Sequence, residues 1–454
     1  MGISSTTCRD RAIVIGGSMA GLAAARVLSD HFREVILIER DNLGAVGEQR
    51  RGVPQGRHAH GLLTGGGRAL EALFPGLFPE LSNAGAVTFN LTRDSHWFFE
   101  GGEHLGVESD LDAVGLSRPL LEGIVRERVR KIPNIYIREG CQAQELVATT
   151  DNRCVIGVRM DREIQVADLV VDATGRGSHS PRWLEAMGYA RPPEERIDVN
   201  ISYASRCFRR SPHHLNGGLF ASVAATPRSK KGGVIVAQER DLWIVTLNAY
   251  GGAAVPTQLA GFIDFARTLP ASHIYDVISG AEPVGEPYAA RFPASVRRRY
   301  EYMYYFPDGY LVLGDAISSF NPVYGQGMSV AALEALELSK ALSEGRIRLA
   351  QRFFAQAAKI VDIPWSIAAG NDVRMPHVVG PKTLMTRFFN WYVARLHMGA
   401  RREPNLVTAF HNVTNLLAPP QSLLKPRLAA RVLTAAFSRK AEMPAQTKSI
   451  GATA

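Results

Sequence analysis

The chain has 454 residues, 46% hydrophobic and 21% charged, a balance that excludes a disordered protein and allows a large core with more than one domain. Its net charge of +9 suits an anionic partner such as NADPH, an acidic carrier protein or a membrane surface. However, the basic residues are scattered apart from short clusters such as Arg297-Arg298-Arg299 and Arg401-Arg402, and no nucleic-acid motif accompanies them. Apolar runs fall short of the roughly 18 residues a membrane crossing needs, the N-terminus has no signal-peptide pattern, and Cys8, Cys141, Cys154 and Cys207 form no CxxC pair, so a cytoplasmic chain with reduced thiols, no transmembrane helix and no metal centre is expected.

Residues 12–15 read as a buried strand, 19–30 as a small-residue helix and 35–38 as a second strand, a βαβ unit. Between the first strand and the helix lies Gly16-Gly17-Ser18-Met19-Ala20-Gly21, and Glu39, followed by Arg40, closes the second strand. This matches a dinucleotide fingerprint, with Ser18 where the second glycine usually stands. Gly16 permits the tight turn, the helix N-terminus offers free N–H groups and its dipole to a pyrophosphate, and Gly21 lets the helix close on the sheet. Glu39 is placed to accept from ribose hydroxyls. A tight turn without a ligand would explain the hexapeptide alone, but not the strand, helix, strand and acid together.

Further along, 57–78 reads as a helix, and 117–132 as another with Ser117 as N-cap and Leu120, Leu121, Ile124, Val125 and Val129 at helical spacing. Short strands follow at 135–138, 154–160 and 169–171, the last two flanking a turn at Asp161-Arg162. From 191 to 305, strands at 201–208, 232–238 and 242–250 alternate with Pro and Gly breaks, as in an inserted antiparallel sheet. Residues 311–313 form a strand ending in Gly314-Asp315 and 328–343 a helix. The region 346–433 is helical with breaks at Pro364, Pro376, Pro381, Pro404 and Pro419-Pro420. The expected fold is α/β: a Rossmann-type dinucleotide-binding domain in two parts (1–190 and 306–345), an inserted antiparallel β-sheet substrate domain (191–305), a C-terminal helical region (346–440) and a disordered tail (441–454).

The second constellation is Gly309-Tyr310-Leu311-Val312-Leu313-Gly314-Asp315-Ala316, followed by Asn321-Pro322-Val323-Tyr324-Gly325-Gln326-Gly327-Met328. An acid at a strand end suits polyol hydroxyls, and a Gly-rich turn before a helix turns backbone N–H groups on a flat, partly anionic ring. The run resembles the second FAD motif of the para-hydroxybenzoate hydroxylase superfamily. That resemblance implies that Asp315 meets the ribityl chain, and that Pro322, Gly325, Gln326, Gly327 and Met328 lie beside the isoalloxazine. Asp172-Ala173-Thr174-Gly175-Arg176-Gly177-Ser178 occupies the place of the family's Asp-Gly motif, with Thr-Gly in its stead. Arg118, within Leu116-Ser117-Arg118-Pro119, resembles the helix-borne residue that contacts the flavin phosphates; a solvated first-turn arginine is the other reading.

The run Arg51-Gly52-Val53-Pro54-Gln55-Gly56-Arg57-His58-Ala59-His60 resembles a segment of bacterial flavin-dependent epoxidases that act on polyene precursors of polyether antibiotics. By that resemblance Arg51 faces FAD and His58 or His60 sits near the flavin. Two histidines at i,i+2 also suit a metal, but no third ligand is near in sequence, and hydrogen bonding is the favoured role.

The resemblance implies an FAD-dependent monooxygenase of natural-product or antibiotic biosynthesis that moves one oxygen atom from O2, through a flavin C4a-hydroperoxide, to an apolar substrate. Epoxidation of a polyketide or polyene alkene is favoured, because it needs no protein nucleophile. Aromatic hydroxylation of a polyketide and reduction of a prenyl double bond, as in geranylgeranyl reductase, are the rivals. The Trp-x-Trp-x-Ile-Pro segment of flavin halogenases is absent. With one complete nucleotide fingerprint, electrons are expected from visiting NAD(P)H or from a separate flavin reductase. Phe388, Phe389, Trp391 and Tyr392 read as helix packing and are not counted as site residues.

Overall fold

A computed structural model describes residues 10–437 except 51 and 162; Cys8 and the expected tail at 441–454 lie outside the described residues. Its centre is a parallel sheet of five strands in the order Tyr310–Val312, Leu169–Asp172, Arg11–Ile15, Glu34–Ile38, Ile135–Arg138. The strands are almost continuously apolar because layers cover both faces: Ala12, Val14, Val35, Leu37 and Val170 are fully buried. Helix Met19–Ser29 leaves the first strand directly and packs on helices Gly327–Ser343 and Arg118–Arg130. The Ser117 hydroxyl caps the last of these, accepting from the Leu120 amide at 3.3 Å as its sequence position suggested.

The second layer is an eight-stranded sheet in the order Ser318–Ser319, Pro283–Arg298, Glu194–Arg209, Leu242–Tyr250, Lys231–Gln238, Phe220–Val223, Ser95–Phe99, Gly102–Glu103. Every pair is antiparallel except Phe220–Val223 with Ser95–Phe99. The three expected strands lie within it, but the sheet also draws in the long strand Pro283–Arg298 and two strands from the 95–103 stretch. His96 to Phe99 are all half-buried, so no inside–outside alternation marks that strand in the sequence.

Three sequence expectations are corrected. The helix expected at 57–78 is a 3-10 turn, Pro54–Arg57, an extended stretch at 58–63, and two helices, Thr64–Leu73 and Leu77–Asn83. Gly76, at φ +78°, separates the two helices. Gly66 serves close packing instead, since a Cβ there would lie 2.3 Å from the Ser329 side chain. After Asp161 the chain forms an extra strand, Glu163–Val166, antiparallel to Val155–Met160, before it returns at Leu169. Pro364 does not break its helix: Leu349–Asp372 runs through it, with Pro364, Trp365 and Ala368 buried, so packing outweighs one lost hydrogen bond.

Behind the Gly314 turn, the fully buried Glu334 accepts from the Gly314 amide at 2.6 Å, and burial pushes its carboxyl up to about 8. The folded protein therefore holds a proton that the unfolded chain loses near 4.5. Stability must fall as pH rises between those values, by at most about 1.4 kcal/mol per pH unit. Glu334→Gln keeps an acceptor for Gly314 and cannot ionise. Its melting temperature relative to wild type should climb steadily from about pH 5 to about pH 8; a pH-independent difference would rule out a neutral Glu334.

Candidate active site

At the C-terminal ends of the parallel strands lies a cavity of about 1220 Å³, the place where open α/β sheets bind ligands. Gly16, at φ +103°, makes the first turn, and a Cβ on it would come 2.7 Å from the Ala173 carbonyl oxygen. On Gly21 a Cβ would stand 1.7 Å from the Gly16 oxygen, so the helix can start here only with glycine. Gly16, Ser18 and Ala20 line the cavity, while Met19 and Gly21 are buried beneath it. No side chain caps the first N–H groups of helix Met19–Ser29 or of helix Gly327–Ser343. Ser18 and Ala20 from one N-terminus, and Gln326, Gly327 and Met328 from the other, line the same cavity, so two positive helix ends bear on one ligand volume.

A buried charge network lies under the fingerprint. Glu39 accepts from the Gly17 and Asp41 amides at 2.8 and 3.0 Å, and pairs with Arg50 at 2.7 Å. Arg50 also pairs with Glu122. The other Glu122 oxygen accepts from the Ser18 hydroxyl at 2.8 Å and from Arg118 Nε at 3.2 Å, and Arg118 Nη2 donates to Ser18 Oγ at 2.9 Å. Burial alone would raise the Glu122 carboxyl, but Arg118 and Arg50 outweigh it and hold the group below its ordinary value. Ser18 is thus more than a small stand-in for glycine: its hydroxyl joins the glycine turn to the helix carrying Arg118. Only 7% of Arg118 is exposed, which excludes the solvated reading. Sequence reasoning missed Arg50 and Glu122, although Glu122 stands one helical turn after Arg118. Arg51 lies outside the described residues; Arg50, its neighbour, is the arginine placed in the cavity wall. Arg40 lies at the exposed rim.

Asp315 reaches the cavity from the end of strand Tyr310–Val312. Burial raises its carboxyl, against the fields of Arg118 and Arg176 and a hydrogen bond from Gln55. Pro322, Gly325, Gln326, Gly327 and Met328 all line the cavity, and Gln326 Oε1 is buried with no partner. His58 and His60 lie on the extended stretch that docks on the large sheet. His58 Nδ1 meets Ser205 Oγ at 2.7 Å, His60 Nδ1 donates to the His58 carbonyl at 2.9 Å, and the Ala59 amide donates to Thr246 Oγ1 at 2.8 Å. Burial lowers the two imidazoles to about 4 and about 3, so both are neutral at pH 7. Each imidazole thus makes one hydrogen bond through Nδ1, and His58 Nε2 is buried without a partner.

Beyond the 321–328 loop the cavity widens into a chamber walled by Trp97, Phe99, Phe220, Phe389 and Phe410, with His397 stacked on Phe99. Phe389 is the one member of the C-terminal aromatic group that lines it; Tyr392 is buried and donates to the Leu423 carbonyl, while Phe388 and Trp391 are exposed. Under the loop, Asp372 Oδ1 accepts from Asn321 Nδ2, Tyr250 OH and Tyr324 OH at 3.0, 3.0 and 2.8 Å. Tyr203 OH donates to Asn321 Oδ1 at 2.6 Å. Burial lifts Asp372 to about 6. Nothing in the sequence marks Asp372, a lone acid in a helical stretch. Among the described residues, one group offers metal-ligand geometry, His96, Glu103 and His273. It stands outside the cavity, and hydrogen bonds from His273 and His96 draw the Glu103 carboxyl down to about 2.

These features fit FAD. The glycine turn admits no Cβ, two uncapped helix ends face one volume, buried Arg118 and Arg50 stand at the first of them, and the unpartnered Gln326 oxygen waits at the second. No protein-family model matches the chain. Protein Rv3254 of Mycobacterium tuberculosis is 35% identical over 391 residues, covering 81% of each chain. The chain belongs to the Protein Rv3254 family. Among solved structures, this family member is similar to the flavin-dependent brominase Bmp2, with a TM-score of 0.66 and 14% identity over 93% of this chain and 97% of that one. It is also similar to the flavin-dependent halogenase CmlS (0.62, 16%, 88% and 74%) and to PqsL of Pseudomonas aeruginosa, a probable FAD-dependent monooxygenase (0.60, 16%, 80% and 97%). At these identities the shared property is the fold alone. No described helix is long and apolar enough to cross a membrane.

Proposed function

We propose that this chain is an FAD-dependent monooxygenase that places one oxygen atom of O2 on an apolar small molecule, with alkene epoxidation of a polyene or polyketide as the favoured reaction. The observation that carries this reading is the single cavity joining the nucleotide fingerprint to an aromatic chamber. When bound, FAD supplies the two-electron activation of O2. NAD(P)H or a flavin reductase provides the two electrons; one oxygen atom goes to the alkene, and the other leaves with two protons as water.

The chain's own residues bind, orient and keep dry. Gly16, Ser18 and Ala20 hold the pyrophosphate at the helix end, Arg118 faces its charge, Glu39 takes the ribose, and Asp315 the ribityl hydroxyls. Pro322 to Met328 line the ring. His58 and His60 are held neutral by burial. In this division of labour the parts at 1–190 and 306–345 carry FAD, while 191–305 and 346–437, joined by the 95–103 stretch, close over the substrate. His397, also lining the chamber, is pushed well below its ordinary value by burial, and Tyr250 and Tyr324 well above theirs. Epoxidation tolerates this, because no proton has to leave the substrate.

One observation favours aromatic hydroxylation as a second reading. Asp372, near 6, stands directly behind the cavity-lining Tyr250 and Tyr324, so a phenol proton has a route to a carboxylate. The two readings separate on product. Reduced holoprotein given oxygen-18 O2 and a polyene such as squalene should yield an epoxide carrying one heavy oxygen, and Asp372→Asn should leave that yield within about threefold, since a base contributes 10²-fold or more only where a proton moves. A phenol whose formation collapses in Asp372→Asn would establish the second reading. A saturated product formed without O2 uptake would overturn both.

A further inference from the structure

Helix Leu384–Gly399 has two faces of different use. Thr386, Phe389, Asn390, Val393 and His397 point into the chamber. On the opposite side Leu384, Phe388, Trp391 and Met398 form one stripe at i, i+4, i+7 and i+14, and Val379, in the segment before the helix, is exposed as well. These are large apolar side chains in solvent, with Leu384 82% and Val379 83% exposed. Single exposed apolar residues are ordinary; a contiguous stripe marks an interaction surface. Met385 belongs to both faces, being 62% exposed and part of the cavity wall, so the chamber opens beside the stripe.

The charge around it points one way. Residues 373–437 contain nine lysines and arginines against one acid, Glu403, which nearly accounts for the chain's net charge of +9. Lys382 and Arg387 are exposed at the stripe's edge, and the Arg395 guanidinium lies over the Trp391 ring at 4.3 Å. By contrast the most basic run elsewhere, Arg297-Arg298-Arg299, is neutralised by Asp362, Glu301, Glu194 and Glu195.

We propose that this face docks on an anionic lipid bilayer. The helix lies in the interface with Leu384, Phe388 and Trp391 among the acyl chains and Lys382, Arg387 and Arg395 at the headgroups, and an apolar substrate enters the chamber past Met385. A second copy of the chain is a poorer occupant, because a two-fold contact would bring the same basic residues face to face. The helix has 16 residues, fewer than a bilayer crossing requires, which suits lying on the surface. Docking rests on the surface alone; that it feeds the chamber rests on the oxygenase reading.

The test is sedimentation of the full-length holoprotein with vesicles of phosphatidylcholine alone or with about one third phosphatidylglycerol, no substrate being needed. Wild type should bind the anionic vesicles and lose that binding in high salt. Each basic residue at an anionic surface is worth about fivefold in partition, so K382E/R387E should weaken binding at least about 25-fold. L384S/F388S/W391S should weaken it at least about tenfold. Retained flavin absorbance and an unchanged circular dichroism spectrum show that the variants are folded, and keep this test separate from the FAD reading. No binding by wild type, equal binding to both vesicle types, or variants that bind as wild type does would each overturn the proposal. So would a wild-type dimer in sedimentation velocity that L384S/F388S/W391S dissociates while wild type ignores vesicles; the stripe would then be a subunit interface.

Discussion

Gly21→Val should yield protein without flavin. The Cβ it adds would stand 1.7 Å from the Gly16 oxygen, a contact with backbone at the point where the helix begins, so neither a rotamer change nor a flexible neighbour can relieve it. Relief requires the helix to withdraw from the turn, and with it the free N–H groups of the helix end. Because the pyrophosphate is bound mainly by those groups and the helix dipole, affinity for FAD should fall at least about 100-fold, which is a loss of about 2.7 kcal/mol or more. Gly16→Ala, whose Cβ would meet the Ala173 oxygen at 2.7 Å in a backbone with φ +103°, should act in the same direction. Flavin fluorescence quenching on titrating apoprotein measures this directly. A folded Gly21→Val protein that binds FAD within a few-fold of wild type would place the flavin elsewhere.

Glu122→Ala and Arg50→Ala should both destabilise the protein, yet respond to FAD in opposite ways. Glu122 is 3% exposed and compensates Arg50 and Arg118. Removing it leaves two confined guanidinium groups facing each other, at a cost of about 3–5 kcal/mol to the apoprotein. The diphosphate supplies the missing negative charge, so FAD should restore an unusually large share of the melting temperature. Arg50→Ala instead leaves Glu39 without its arginine, and Glu122 with Arg118 alone, beside the same diphosphate. Its apoprotein should lose a similar amount, and FAD should restore little, because the ligand adds charge of the sign already in excess. Melting curves of the two variants with and without FAD decide the matter. Equal recovery in both would show that the network does not face the phosphates. Acid should act as Glu122→Ala does: the Glu122 carboxyl is held below its ordinary 4.5 in the fold, so its contribution is present above that pH and is lost as pH falls through the folded value.

Much of the cofactor site is legible in the sequence because its determinants are local. A glycine turn between a strand and a helix, an acid closing the next strand, and a second Gly-rich turn before a helix are each contained in a few consecutive residues. Gly16, Ser18, Ala20, Glu39, Arg118, Asp315 and the 322–328 loop all reach one cavity. What escaped was set by distant pairing. Arg50 belongs to the site only because strand Glu34–Ile38 and helix Arg118–Arg130 bring Glu39 and Glu122 to either side of it.

The chamber is of the same kind. Trp97 and Phe99 face Phe389 and Phe410 across at least 290 positions of chain, and the strand bearing the first two joins a sheet most of whose other strands come from elsewhere. Asp372 is an unremarked helical residue until folding places three side-chain donors around one of its oxygens. Phe388 and Phe389 are adjacent and chemically identical, but one lies in solvent and the other in the chamber wall. By itself, the sequence determined the parallel core, the glycine turns and the acids at the strand ends, Glu39 and Asp315, since backbone conformation and apolar periodicity are decided by neighbours in the chain. Only the tertiary structure decided which charges pair beneath the glycine turn, which aromatics wall the chamber and which apolar stripe is left facing outward, because burial is a property of what the rest of the molecule covers.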